Sequence, residues 1–257
     1  MDKAVIVGIY EFIGYQLCEA LLQEGIQVYG VHIPSNTPAQ IVDEKRLLIG
    51  RNSNFIEKDD TFLSTLGYLA NDAFIFFDYY SFYMNRKEDI FMRKIQTCLE
   101  YDLEAAVMLP VQKLETEIDH NTSSVLSQCK FHFYLPCIYG PWQPSNYFFH
   151  KALLEPNQTH PLEEREWTKD TIFVEDVVEI MIKTIEEKNT KSALLKSSIE
   201  DHWQKVATEL SQHIPRFNPQ RHIEIGKNLA VINVKGVPYK EGIQRQKKYI
   251  TQIENSN

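Results

Sequence analysis

The heptapeptide Gly8-Ile9-Tyr10-Glu11-Phe12-Ile13-Gly14 joins an apolar run, Ala4-Val5-Ile6-Val7, to an amphipathic stretch, and its chemistry is that of a helix N-terminus. Unsatisfied backbone N–H groups and the helix dipole make such a turn attractive to anions, phosphate above all. Close approach of a phosphate needs bare backbone. Gly8 and Gly14 provide it, whereas Glu11 adds an obstructing side chain and like-charge repulsion. Turned to solvent instead, Glu11 would only favour the positive helix end, by roughly 0.3–1 kcal/mol. Two pairs, Tyr83 with Lys87 and Tyr147 with Lys151, set a phenol four residues before an ammonium. At this Tyr and Lys content roughly one such pair arises by chance, so the pattern carries weight only in the right structural context. The histidines form no HxxxH and no pairing with cysteine at metal-ligand spacing, so no metal is expected, and neither a GxSxG elbow nor a Gly-rich loop ending in Gly-Lys-Ser/Thr occurs.

The elements that carry these residues follow from hydrophobic periodicity. Ala4 to Val7, unbroken and ended by Gly8, predicts a strand buried on both faces of a parallel sheet. From Phe12 to Leu22 the positions Ile13, Leu17, Ala20 and Leu21 recur at helical spacing, Gly25 stops the helix, and Ile26 to Ile33 predicts a second strand. This first unit is a βαβ of the Rossmann type. Strands follow around Asn54 to Ile56, Ala73 to Phe77, Ala105 to Leu109 and Phe131 to Ile138, with a helix from Glu88 to Tyr101. The fold class implied is α/β, a Rossmann-type doubly wound parallel sheet with right-handed crossovers. After Tyr139-Gly140-Pro141-Trp142, prolines punctuate a loop-rich stretch, and helices are expected at Val174 to Glu187 and His202 to Ile214. The expected organisation is a dinucleotide-binding-like core over residues 1–144 and a smaller α/β lobe over residues 145–257, with some segments returning to the core.

Three stretches in order resemble the extended short-chain dehydrogenase/reductase superfamily, its NAD-dependent epimerase/dehydratase group in particular. Val5-Ile6-Val7-Gly8-Ile9-Tyr10-Glu11-Phe12-Ile13-Gly14 is similar to that group's strand, GxxGFIG turn and helix, and Leu135-Pro136-Cys137-Ile138-Tyr139-Gly140-Pro141 to its LPGIYGP segment. Thr171-Ile172-Phe173-Val174-Glu175-Asp176-Val177-Val178 is similar to its FVxVDDVV helix start, and Val237-Pro238-Tyr239-Lys240-Glu241-Gly242-Ile243 matches its closing YPxYREGL more weakly.

The resemblance implies a cofactor, NAD or NADP, held by Gly8, Phe12, Ile13 and Gly14, with Glu11 at the middle glycine, His32 at the acidic end of the second strand and Asp59 near the adenine. Each departure weakens that site. Glu11 replaces the glycine that lets backbone approach pyrophosphate, and His32 replaces the ribose-binding acid without an adjacent arginine for a 2′-phosphate. Phe76-Phe77-Asp78-Tyr79-Tyr80 stands where the family has the small residues of HLAA, so aromatic bulk is expected to plug the vacated space. Family catalysis uses Ser or Thr and a Tyr whose phenol is acidified by a Lys four residues on. Leu109-Pro110-Val111-Gln112 stands at the serine position, and Glu115 to Gln128, where the Tyr-xxx-Lys helix belongs, holds no tyrosine. Tyr83, Lys87, Tyr147 and Lys151 all fall outside the family's position, so no catalytic residue is assigned.

With 43% hydrophobic and 24% charged residues, the 257-residue chain has an ordinary globular composition. A net charge of −8 argues against nucleic acid and anionic membranes as partners. Cys18, Cys98, Cys129 and Cys137 show no paired spacing and read as buried free thiols, and no signal peptide or membrane span is evident, so the expected location is cytoplasmic. The resemblance makes a homodimer plausible. The leading expectation is a non-catalytic member of the fold acting as a binding or regulatory protein toward a protein partner or small molecule. The alternatives are a divergent NAD(P)-dependent epimerase, dehydratase or reductase acting on a nucleotide sugar or small carbonyl compound, and a dinucleotide-binding redox sensor.

Overall fold

Lys3-Ala4-Val5-Ile6-Val7 alternates its side chains between two apolar layers, and that alternation fixes the centre of the molecule. Ala4 and Ile6 enter one buried cluster while Val5 and Val7 enter another on the opposite face. The computed structural model describes residues 1–68, 73–96, 104–114, 128–211, 213–214 and 229–254. In the first half β1 (Lys3–Val7), α1 (Phe12–Gln23), β2 (Gln27–His32), α2 (Ala39–Ile49) and β3 (Phe55–Asp59) precede β4 (Phe74–Phe77), α3 (Tyr79–Met84), α4 (Glu88–Ile95) and β5 (Ala105–Pro110). The second half comprises β6 (Phe131–Leu135), β7 (Cys137–Tyr139), α5 (Phe148–Leu154), β8 (Thr171–Phe173), α6 (Val174–Glu187), β9 (Ser192–Ser197), α7 (His202–Leu210), β10 (Ala230–Val234) and α8 (Tyr239–Glu254).

Eight parallel strands form one sheet in the order β10-β9-β6-β5-β4-β1-β2-β3, and β7 pairs with β8 in a second, two-stranded sheet. This is the α/β Rossmann-type architecture expected from the sequence. The order reverses between β1 and β4, so a crevice is expected at the carboxyl ends of these two strands. Gly8 leaves β1 there, and Asp78 leaves β4 beside it, its N–H bonded to Val7 O at 3.1 Å. Gly14 and Asp78, 64 apart in sequence, are thereby brought within hydrogen-bond distance.

Several boundaries differ from those expected. The strand foreseen from Phe131 to Ile138 is two, because Pro136 has no N–H for the ladder and β7 leaves the main sheet. The helix from His202 ends at Leu210, and the one from Glu88 is described only to Ile95. Strands β9 and β10 add to the main sheet, while β7, β8, α5 and α7 enclose a separate apolar cluster around Tyr139, Phe148, Phe149 and Trp203. Cys18, Cys129 and Cys137 are buried free thiols, and Cys98 lies outside the described residues. No helix among the described residues is long and apolar enough to cross a membrane.

Candidate functional site

At the carboxyl end of β1 the chain turns through Gly8, whose φ of +96° lies in the left-handed region open to glycine. Glu11 N–H donates to Gly8 O at 2.9 Å, and Glu11 O accepts the first α-helical bond from Tyr15 N–H at 3.0 Å. Glu11 is the residue preceding α1, but its side chain makes no capping bond. The carboxylate turns inward and is 3% exposed. It accepts from the Ser35 hydroxyl, from Thr37 Oγ1 at 3.3 and 3.4 Å, and from Asn85 Nδ2 at 3.0 Å. The solvent-facing alternative is therefore not the one adopted.

Asp78 supplies the anion for the start of α1. Its Oδ2 accepts Gly14 N–H at 2.8 Å and the Ser81 hydroxyl at 2.8 Å, while Oδ1 accepts Ser81 N–H at 3.0 Å. One fully buried carboxylate thus serves the N-termini of both α1 and α3. Negative charge at such a place is worth about 1–2 kcal/mol when partly buried. One backbone N–H of the turn is thereby satisfied by the chain's own carboxylate.

Lys45, on α2, balances this charge. It is 2% exposed, and its Nζ donates to Tyr10 O at 2.7 Å and to Glu11 O at 3.3 Å, so the ammonium fastens the carbonyls of the turn. The Tyr15 and Trp142 rings lie 5.1 and 5.2 Å from it, at cation–π distance. Burial pulls Lys45 down to about 8, against the upward pull of Glu11, Asp78 and Glu19. Burial pushes Glu11 up to about 7 against the lowering effect of Ser35 and Lys45, and it raises Asp78 as well.

This arrangement has a pH signature. Glu11 holds its proton more tightly folded than unfolded, so its contribution favours the fold at low pH and is lost as pH rises from about 4.5 through about 7. Glu11→Gln is therefore expected to gain on the wild type across that interval, by up to about 3 kcal/mol. Urea midpoints of both proteins at pH 5 and pH 7.5 check this. Glu166, raised to about 7, and Asp170 and Asp176, raised to about 6, are common to both proteins and cancel in the difference.

Aromatic side chains fill the adjoining space, with Phe76, Phe77, Tyr79 and Tyr80 all buried, and Tyr80 accepts Ile138 N–H at 3.3 Å. Of the other residues singled out from sequence, Phe12 and Ile13 are buried in the first turn of α1, and Ile13 N–H reaches the Ser81 hydroxyl at 3.5 Å. His32 packs edge-on against Tyr10 at 5.2 Å, and burial lowers its pKa. Asp59 accepts the Thr61 hydroxyl and Thr61 N–H, the latter at 3.0 Å, and these bonds hold its pKa down. His32 and Asp59 border a surface depression of about 490 Å³ that sits apart from the Glu11 cluster.

The tyrosine–lysine pairs are placed unlike an acid/base pair. The Tyr83 ring stacks with Tyr79 and lies under the Arg165 guanidinium at 4.3 Å, while Lys87 precedes α4. Tyr147 precedes α5 and is buried, and Lys151 Nζ turns to Glu163 at 3.4 Å. Burial raises both phenols, the reverse of what proton transfer near neutral pH requires. The stretch 115–127 lies outside the described residues. Glu166, within the charged run Glu163-Glu164-Arg165-Glu166, is buried and accepts Phe148 and Glu163 N–H at 2.9 Å each.

Sequence reasoning missed Ser35, Thr37, Lys45 and Asn85. The available signal was Lys45 itself, which shares a helical face with the apolar Val42 and Ile49. A lysine there is either a mispatterned surface residue or a buried charge with a task.

No family model and no curated protein sequence matches the chain. Solved structures do. Pal from Bacillus thuringiensis superposes with a TM-score of 0.64 at 14% identity, over 98% of this chain and 99% of that one. The UDP-glucose 4-epimerase of Thermotoga maritima, solved with UDP-glucose, gives 0.63 at 14% identity over 98% and 99%. The WbmH enzyme of Bordetella bronchiseptica, solved with NAD+, gives 0.58 at 14% identity over 98% and 99%. The chain has the fold of extended short-chain dehydrogenases/reductases along nearly its whole length.

Proposed function

We propose that this chain is a non-catalytic member of that fold, a binding or regulatory protein in which charged side chains replace the dinucleotide. The observation that carries this reading is the Asp78 carboxylate at the N-terminus of α1, 2.8 Å from Gly14 N–H. Glu11, buried and hydrogen-bonded from three sides, supports it by closing the turn against a second anion. A pyrophosphate entering here would have to displace one buried carboxylate and lie against the other, which electrostatics opposes strongly at low dielectric. The raised phenols of Tyr83 and Tyr147 count against either tyrosine as the proton-transfer group near neutral pH.

The second reading, a divergent NAD(P)-dependent enzyme, draws on the likeness to structures such as the NAD+ complex of WbmH. The two are separated by incubating the full chain with NAD(H) or NADP(H) together with UDP-sugars and small carbonyl compounds, following nicotinamide absorbance and the melting temperature. The proposal expects neither turnover nor stabilisation, because only a ligand that binds the native state raises its stability. Turnover of the cofactor would establish the second reading.

A further inference from the structure

A cavity of about 880 Å³ lies beyond the closed turn, between α2, the end of α3, the loop that begins at Trp142, and α8. Its volume falls in the range of small-molecule sites, about 300–1,000 Å³. Phe12, Ile41, Met84, Trp142, Tyr249 and Ile250 give it apolar walls. Its charged lining residues are Lys45, held within the Glu11 cluster, Glu163, paired with Lys151 at 3.4 Å, and Arg86, whose partner Glu164 is exposed. Amides of Asn36, Gln40 and Asn146 add neutral polar groups.

Two lining residues are held at a conformational cost. Arg86 has φ +56° and Trp142 φ +68°, left-handed values that a bulky L-residue adopts only when its surroundings impose them. Arg86 ends α3 in the position where glycine is the usual choice, with its own N–H on Tyr83 O at 3.0 Å and Lys87 N–H on Phe82 O at 2.9 Å. Arg86 is itself one of the residues lining the cavity. One of its N–H groups goes to Glu164 at 2.8 Å in an exposed pair, which is weak and exchangeable. Trp142 packs against Tyr249 at 4.4 Å and lies 5.2 Å from the Lys45 ammonium.

We infer that this cavity binds a small apolar monoanion, an aromatic or alicyclic body bearing one carboxylate, with the body against Trp142 and Tyr249 and the carboxylate at Arg86. The inference goes beyond the non-catalytic reading and does not rest on it: the cavity shares Thr37, Lys45 and Asn85 with the Glu11 cluster, but the carboxylate is placed at Arg86. A carboxylate suits the planar fork of an arginine, which offers two parallel N–H donors.

The test uses naphthoate and its neutral isostere naphthamide, each titrated into the full chain by calorimetry. Naphthoate is expected to bind at one site with a dissociation constant below about 1 mM, and naphthamide at least about tenfold more weakly. Arg86→Gly removes the guanidinium and relieves the left-handed strain, so its melting temperature should equal or exceed that of the wild type. Its naphthoate affinity should fall at least about tenfold while its naphthamide affinity stays unchanged. Absence of saturable naphthoate binding, equal affinity for the two probes, or unchanged naphthoate affinity in Arg86→Gly would each overturn the inference. Failure here leaves the dinucleotide result untouched, so the two proposals fall separately.

Discussion

Gly14→Ala is expected to cost at least about 3 kcal/mol, because the added methyl has nowhere to go. A Cβ on Gly14 would sit 2.3 Å from Gly8 O and 3.1 Å from Gly8 C, and these are backbone atoms that no rotamer change can withdraw. Relief would require α1 to lift from β1. That shift would lengthen the Gly14 N–H bond to Asp78 and open the packing of Ile13 and Leu17 in the core. Gly25→Ala is the matched control. Gly25 has φ +78° but nothing within 4 Å of its Cβ position, so the penalty is confined to backbone strain, about 1 kcal/mol. Thermal melts should show Gly14→Ala falling by about 6–12 °C, while Gly25→Ala falls by only a few degrees.

Lys45→Met should be comparably damaging for an electrostatic reason. Methionine nearly matches the stem of lysine, so packing against Tyr15 and Trp142 is largely retained. What disappears is the donor to Tyr10 O and Glu11 O and a buried positive charge beside Glu11 and Asp78. Removing one member of a buried set of opposite charges typically costs about 3–5 kcal/mol, since the remainder is left uncompensated. Glu11 can escape part of that cost by keeping its proton, so the loss should be smaller at pH 5 than at pH 8. A double-mutant cycle with Glu11→Gln, read from chemical unfolding, should give a coupling energy above about 1 kcal/mol at pH 8. Additive losses would mean that the two groups do not interact.

The two predictions rest on features of different legibility. Gly8 and Gly14 announce the tight approach of helix to strand, because their spacing and the flanking apolar run have few other uses. Likewise β1, α1, β5 and α6 follow from periodicity, α6 from Val174 to Glu187 as expected. Helix α2 escaped notice because Lys45 interrupts its buried face while Leu47 and Leu48 lie exposed on the other, so its amphipathic pattern is blurred. Strand β10 alternates only weakly, with Val231 turned outward. Glu11 and the run from Phe76 to Tyr80 were visible as departures, but their mutual arrangement was not. The bond from Gly14 to Asp78 spans 64 residues, and only the reversal of strand order between β1 and β4 brings its ends together. Composition and spacing carry no trace of such a contact.

The central claim is that the helix N-terminus left by Gly8 and Gly14 is satisfied from within. Titration of the full-length wild type with NADH, followed by nicotinamide fluorescence at neutral pH, tests it most directly. The predicted trace is a featureless line up to about 1 mM, with no energy transfer from Trp142. A saturable one-to-one isotherm with a micromolar dissociation constant would contradict the account, since it would require Asp78 and Glu11 to yield the turn to a pyrophosphate.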